Sequence, residues 1–364
     1  MKLSPAVAKR YTKEQLSAVE AQRLAEYITW GPVLFEVARL LRKFKILEYL
    51  NESKDGLTVT ELVEKTACSE YAINVLVEGG LSAGILLVDP ESERYRLSKA
   101  GWFLLADENK AVNLDFVHDV NYQGLYYLEE ALTEGRPAGL ATLGNWKTIY
   151  EGLSHLAPTV QQSWLAFDHY YSDNSFDKAL PIVFAQHPKR LLDIGGNTGK
   201  FALRCVEYDP EVRVTIADLP GQLSMMKEFV AGKVGAERIE GYAIDQLDAQ
   251  ATLPREAWDV IWMSQFLVCF SEDEIYTILS RAAAVMSSQT RLFIMDLFWN
   301  LQRSETAALC LTMTSVYFTA LANGNSKFYR SDVFEKQIER AGLKVLKLHD
   351  QFGLGHNILE VVKA

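Results

Sequence analysis

The chain has 364 residues, 49% of them hydrophobic in type, with a formal net charge of -10 and a pI near 5.3. Such a chain can bury large cores in two domains, which excludes a disordered or fibrous protein. Its acidic field opposes nucleic acid and anionic membranes, so a small-molecule partner is expected.

From Thr12 to about Leu50 the apolar residues Leu16, Val19, Leu24 and Ile28, then Val33, Phe35, Val37, Leu40, Leu41, Phe44 and Leu47, recur at helical spacing. Gly31 and Pro32 mark a break between two helices. In the next stretch Thr58 and Glu61 are spaced as a capping box, Ser69 is placed to cap a second helix, and Gly79-Gly80 is expected to close it. "GILLV" and "RYRLS" then alternate around the turn "DPESE", which predicts helix, turn, helix and a two-stranded wing. A winged helix can bind DNA, but its second helix carries Glu70 and Glu78 and no lysine or arginine. Phosphate contact needs the opposite charge, so a structural or dimer-forming role is expected.

A helical, aromatic-rich middle follows, through "DFVHDVNYQGLYYLEEAL" and "SWLAFDHYYSDNSFDKALPIVF". From Arg190 onward, strand-like runs alternate with helical stretches: "RLLDIG", "RVTIAD", "RIEGYAID", "WDVIWMS", "RLFIMDLF", "KVLKLHD" and "HNILEVVK". That order predicts an α/β fold with a seven-stranded, mostly parallel sheet and an antiparallel finish. Boundaries are expected at 1-108, 109-180 and 181-364. Cys68, Cys205, Cys269 and Cys310 lie far apart with no zinc-ligand spacing, so no metal is expected. No apolar core of signal-peptide length opens the sequence and no unbroken apolar run nears a membrane span, so a cytoplasmic protein is expected.

The ligand signal is "LLDIGGNTGK", residues 191-200. A triphosphate loop would end in Gly-Lys-Ser/Thr, whereas Phe201 follows Lys200; a dinucleotide fingerprint begun at Gly195 would want glycines where Asn197 and Lys200 stand. What remains is a strand-end Asp193, then Gly195 and Gly196 for close backbone approach, and Asn197, which tolerates a left-handed conformation. The second strand ends in Asp218, placed to accept hydrogen bonds from both hydroxyls of a ribose, and the third region ends near Asp245.

With "IADLPGQL" and "DQLD" downstream, these motifs resemble those of the two-domain, dimeric class I S-adenosylmethionine-dependent O-methyltransferases that include hydroxyindole, caffeate and bacterial polyketide enzymes. The resemblance runs over nearly the whole chain. It implies an N-terminal winged-helix dimerisation domain, a Rossmann-like methyltransferase domain, a homodimer, and S-adenosylmethionine as cofactor. By that likeness Asp193, Gly195 and Gly196 hold the methionyl part, Asp218 with Leu219 the ribose, and Asp245 with Gln246 the adenine. Ser264 and Gln265 fall beside cofactor and acceptor.

The family's proton-accepting histidine, in Leu-His-Asp-Trp, has no counterpart in "LVCFSEDE": Val268 stands in its place and Cys269 follows. Tyr329 in "KFYRS" replaces the glutamate that steadies that histidine. Asp296, His169 and His356 are the candidate substitutes, Cys269 being a weaker candidate as a nucleophile. Trp164, Phe167, Tyr171, Trp299, Tyr317 and Phe318 suggest a pocket for a flat aromatic or polyketide-like acceptor. Methyl transfer by proximity and orientation is the expected function. A fold that keeps the cofactor but changes its chemistry, as a decarboxylase or hydroxylase or as a binding protein, is the alternative, and a winged-helix regulator a third.

Overall fold

The computed structural model describes residues 1-364, of which 351 and 352 are described by backbone alone. The chain divides into two compact units, one of residues 14-117 and one of residues 1-13 with 118-364.

In the smaller unit, a capping box of Ser17 and Glu20 starts the helix Ala18–Thr29, which buries none of its residues. The helix Gly31–Lys43 follows directly, opened by Pro32 in its first turn, as expected of that break. A second break was not foreseen: Lys45 adopts a left-handed φ of 59° and turns the chain into the helix Ile46–Glu52. The capping box at Thr58 and Glu61 and the cap at Ser69 are both formed. Gly79-Gly80 does not close its helix, which runs from Glu70 to Ser82. These glycines serve close approach instead: a Cβ on Gly79 would lie 3.2 Å from Val37, and one on Gly80 2.9 Å from Leu86. Strands β1 (Leu86–Asp89) and β2 (Arg94–Leu97) pair antiparallel as the wing, closing a core that includes Leu41, Ile46, Leu47, Leu62, Ile73 and Val77. Val19, Ile28, Trp30 and Val33 remain more than half exposed, a large apolar surface at the start of this unit.

The larger unit is built on β3 (Arg190–Ile194), β4 (Arg213–Asp218), β5 (Ile239–Ala243), β6 (Val260–Ser264), β7 (Arg291–Asp296), β8 (Leu343–Phe352) and β9 (His356–Lys363). Their spatial order is β5-β4-β3-β6-β7-β9-β8. All pairings from β5 to β7 are parallel, while β9 runs antiparallel to both β7 and β8. Valine, isoleucine, leucine and tryptophan on both faces of the central strands are buried by helices on either side, as parallel strands require. Phe201 stacks on Trp262 with ring centroids 4.3 Å apart, joining the helix Lys200–Tyr208 to the sheet. The chain moves outward from β3 to β5 and returns to place β6 on β3's other side. That reversal opens a crevice beyond the carboxyl ends of β3 and β6.

Residues 1-13 pack with the larger unit rather than with the helices that follow them. Ser4 donates through its amide to Asn300 (2.8 Å) and through its hydroxyl to Gln302 (2.6 Å), and Asn300 Nδ2 donates to Lys2 (2.8 Å). The segment Glu305–Ala322 is, by length and composition, apolar enough to cross a membrane (18 residues, mean hydropathy 1.2). Its Ala308, Leu311, Tyr317, Phe318 and residues 320-322 are buried in this unit, while Leu309 and Met313 are exposed.

Candidate functional site

Asp193 comes near the end of β3 almost fully buried, and the five residues after that strand, 195-199, turn tightly into the helix Lys200–Tyr208. Gly195 and Gly199 both take φ +78° and Asn197 takes φ +49°. A Cβ on Gly195 would stand 2.1 Å from the Phe266 ring, and one on Gly196 would stand 2.7 Å from Asp193 Oδ2. Phe266 and Asp193 thus leave no room for a side chain at either position, and only glycine fits this turn.

Asp218 ends β4 and organises the loop from the neighbouring strand. Its Oδ2 accepts from the Asn197 amide (2.8 Å) and its Oδ1 from the Leu219 amide (2.7 Å). Burial pushes its carboxyl up to about 6, against these two amides and with help from the charge of Asp168. Beyond β5, Asp245 is exposed and its Oδ1 accepts from the Leu247 amide (2.8 Å). Gln246 is buried: its Oε1 accepts from Arg281 Nη1 at 3.2 Å, while Nε2 has no partner. Arg281, on the helix Glu272–Val285, also donates to the carbonyls of Gln246 and Asp248 and so staples this loop. At the end of β6, Ser264 Oγ and Gln265 Nε2 are buried and unpartnered, and Gln265 holds a left-handed φ of 47°.

Asp193 Oδ2, Asn197 Oδ1, Thr198 Oγ1, Ser264 Oγ, Gln265 Nε2 and Gln246 Nε2 are thus buried polar atoms without protein partners. Native structures leave few such groups, and these six, at the ends of β3 and β6 and on the loops after β3, β5 and β6, are available to a polar ligand. Burial, with the charge of Asp218 adding, pushes the Asp193 carboxyl up to about 8. The native state therefore keeps a proton that the unfolded chain releases near pH 4, so Asp193's contribution to stability falls as pH rises from about 4 to about 8. Relative to an Asp193→Asn variant, the ligand-free parent is expected to lose up to about 1.4 kcal/mol of stability per pH unit between pH 5 and 8. Denaturant melts of both proteins across that range check it; a constant difference would rule it out.

Val268, expected from the resemblance to stand in the histidine's place, is buried in the short helical turn Leu267–Cys269. That turn is held by the Tyr329 hydroxyl, which donates to Phe270 O at 2.8 Å, and by Asn323 Nδ2, which donates to Cys269 O. The Cys269 thiol points to Gln265 O and is pushed well up by burial, which leaves it a protonated thiol rather than a nucleophile. Asp296 is fully buried at the end of β7, with Oδ1 accepting from the Leu297 amide (2.8 Å) and Oδ2 unpartnered. Burial pushes its carboxyl up to about 8, against the pull of the Leu297 and Val268 amides.

The two histidine candidates have other work. His356 is fully buried, with Nδ1 2.7 Å from Ser175 Oγ and a further ring bond to the Tyr171 backbone, and burial drives it down to about 3. It is a neutral, structural ring that joins β9 to the end of the preceding helical layer. His169 Nδ1 lies 3.5 Å from Asp173, which also receives Lys200 Nζ at 2.7 Å.

Among the aromatics, Trp164 Nε1 donates to the Tyr317 hydroxyl (2.7 Å), bringing the helix Pro158–Asp173 to the helix Glu305–Tyr317. Phe167 packs on Tyr171 at 4.9 Å and Tyr317 on Phe318 at 5.4 Å. Trp299 faces elsewhere, against Tyr11 of the N-terminal helix at 6.1 Å. Sequence reasoning missed Tyr150, whose hydroxyl is buried beside Cys269, and Asp168, whose Oδ2 accepts from Asn197 Nδ2 at 3.1 Å. Asp168 follows Trp164 by one helical turn, a spacing that could have flagged it.

The sheet order and the glycine turn after β3 define a Rossmann-like fold of the methyltransferase type. A model described as "O-methyltransferase domain" matches residues 146-344, and one described as "Dimerisation2-like domain" matches residues 22-95. The chain belongs to the O-methyltransferase domain family. It is 28% identical over 190 residues to O-methyltransferase SfmM3 of Streptomyces lavendulae, covering 50% of this chain and 54% of that one. It thus spans about half the length of the curated relative it matches there. The solved mitomycin 7-O-methyltransferase MmcR shares its fold (TM-score 0.72, 19% identity, 95% and 98% of the two chains). So does the O-methyltransferase NcsB1, solved with S-adenosylmethionine and 2-hydroxy-5-methyl naphthoic acid (TM-score 0.65, 16% identity, 91% and 96%).

Proposed function

We propose that this protein transfers a methyl group from S-adenosylmethionine to a hydroxyl of an aromatic or polyketide-like small molecule. The observation that carries this is the six buried, unpartnered polar atoms at the ends of β3 and β6 and on the loops after β3, β5 and β6, together with the glycine turn at Gly195 and Gly196 where no side chain fits. The residues fit that cofactor: Asp218 would take the ribose hydroxyls, Gln246 Nε2 the adenine edge, and Asp193 with the Gly195 and Gly196 backbone the methionyl part. Asp245 fits less well, since it is exposed beyond β5. S-adenosylmethionine supplies an electrophilic methyl on a sulfonium. The protein's own part is to orient the acceptor and exclude water, and orientation alone is worth several kcal/mol of barrier. Trp164, Tyr317, Phe318, Phe167 and Tyr171 are proposed to shape the acceptor pocket; Trp299 is withdrawn from it because it faces Tyr11. No histidine base takes part, so acidic phenols and enols are the favoured acceptors.

Two further features belong to this proposal. The exposed apolar residues Val19, Ile28, Trp30 and Val33, within or beside the stretch matched by the Dimerisation2-like model, support a homodimer. A cytoplasmic location is proposed from the reduced cysteines.

Labelled S-adenosylmethionine offered with a panel of phenols tests the reaction. Label is expected on an acidic phenol; tight cofactor binding with no label moved to any acceptor would count against it. That outcome would favour a second reading, in which the cofactor site is kept and the chemistry changed, suggested by a valine buried at 268 beside Asp296, whose Oδ2 is buried without a partner.

A further inference from the structure

Asp168 has no role in the proposal above, yet it stands over the loop that carries it. Its Oδ2 takes the Asn197 side chain at 3.1 Å, and the Asn197 amide is bonded in turn to Asp218 at 2.8 Å. The Asn197 Oδ1 is itself buried without a partner. This loop side chain is therefore held by a carboxylate from the separate helix Pro158–Asp173.

The cations around Asp168 are committed elsewhere. Lys200 donates to Asp173 at 2.7 Å, and His169 lies 3.5 Å from the same carboxylate. Burial pushes the Asp168 carboxyl up, opposed by His169, by the Asn197 bond and by Lys200, and assisted by Asp173. Placing a carboxylate in a ligand site without a dedicated cation is costly unless the ligand brings the positive charge. A ligand whose ribose rests on Asp218, and whose cationic group lies across Asn197 from it, meets that need. The same carboxylate would repel a phosphate in that position, which separates this site from the dinucleotide and triphosphate sites that use similar loops.

Resting on the cofactor reading above, we propose that Asp168 receives the α-ammonium group of the methionyl arm, with Asn197 holding the carboxylate in position. Asp168 is thus a cofactor-discriminating residue, and the Asn197 side chain is the group that positions it.

Calorimetric titration of the full chain with S-adenosylhomocysteine and with 5′-methylthioadenosine, which has the nucleoside and sulfur but no amino-acid arm, tests this. Asp168→Asn keeps the side-chain shape and is expected to weaken S-adenosylhomocysteine by about 10- to 100-fold, the value of a hydrogen bond to a charged group. It should leave 5′-methylthioadenosine within about threefold. Equal losses for the two ligands, or no loss for either, would overturn the assignment. In case the variant misfolds, the unaltered chain carries a second test: an S-adenosylhomocysteine analogue lacking the α-amino group should bind about 10- to 100-fold more weakly than the parent compound. Equal affinity would refute the ammonium contact. An unaltered chain that binds neither adenosine compound would sink the cofactor reading itself, a result distinct from either failure above.

Discussion

Replacing Asp218 with alanine is expected to weaken S-adenosylmethionine binding by about 2 to 4 kcal/mol, the value of a pair of charge-assisted hydrogen bonds. The carboxylate has two duties that fail together. It is the group proposed to accept both ribose hydroxyls, and it already holds the Asn197 and Leu219 amides at 2.8 and 2.7 Å. Removing it leaves two amides without their acceptor and loosens the cradle formed by Gly195 and Gly196. Titration calorimetry on the variant, with thermal melts to confirm its fold, checks the expectation. An unchanged affinity would contradict the assignment of the glycine loop, since no other carboxylate ends the strand next to β3 on that side.

Val268→His is expected to raise turnover with weakly acidic phenols by on the order of 100-fold, the lower part of the range for general-base assistance. Asp296 Oδ2 is fully buried and has no partner, and the Val268 amide pulls on the same carboxyl. An imidazole at 268 would find in Asp296 the acceptor that fixes its tautomer, the arrangement a general base needs. Valine 268 is almost completely covered, so the larger ring is also expected to cost about 1 to 3 kcal/mol of stability through overpacking. Acidic phenols, already ionised, should gain little. Steady-state rates across a phenol pKa series, read beside the melting temperature, separate the two effects. A folded variant with no gain anywhere on the series would point to a pocket rebuilt around another mechanism.

Much of the site was legible because it is contiguous. "LLDIGGNTG" carries in nine residues the strand end, the glycines and the left-handed Asn197, and each local conformation follows from its residue type. Asp218 was legible for the same reason, being the last residue of an alternating, β-branched run. The caps at Thr58 and Ser69 were also readable, since capping depends on neighbours three residues away. Gly79-Gly80 misled for a complementary reason: a glycine pair has the same local meaning at a helix end and at a crowded crossing, and only the packing of Val37 and Leu86 distinguishes them.

What the sequence by itself determined was the order of elements, the antiparallel finish of the sheet and the glycine-rich turn after β3. All of these rest on local propensity and spacing along the chain. Only the tertiary structure decided that residues 1-13 pack with the larger unit, that His356 is a neutral core ring, that Trp299 faces Tyr11, and that Asp168 and Arg281 reach the cofactor loops. The hydrogen bonds between Ser4 and Asn300, Ser175 and His356, Asn197 and Asp168, and Arg281 and Gln246 join residues 29 to 296 positions apart. Contacts of that range are set by how helices and strands pack, and no short stretch of sequence records them.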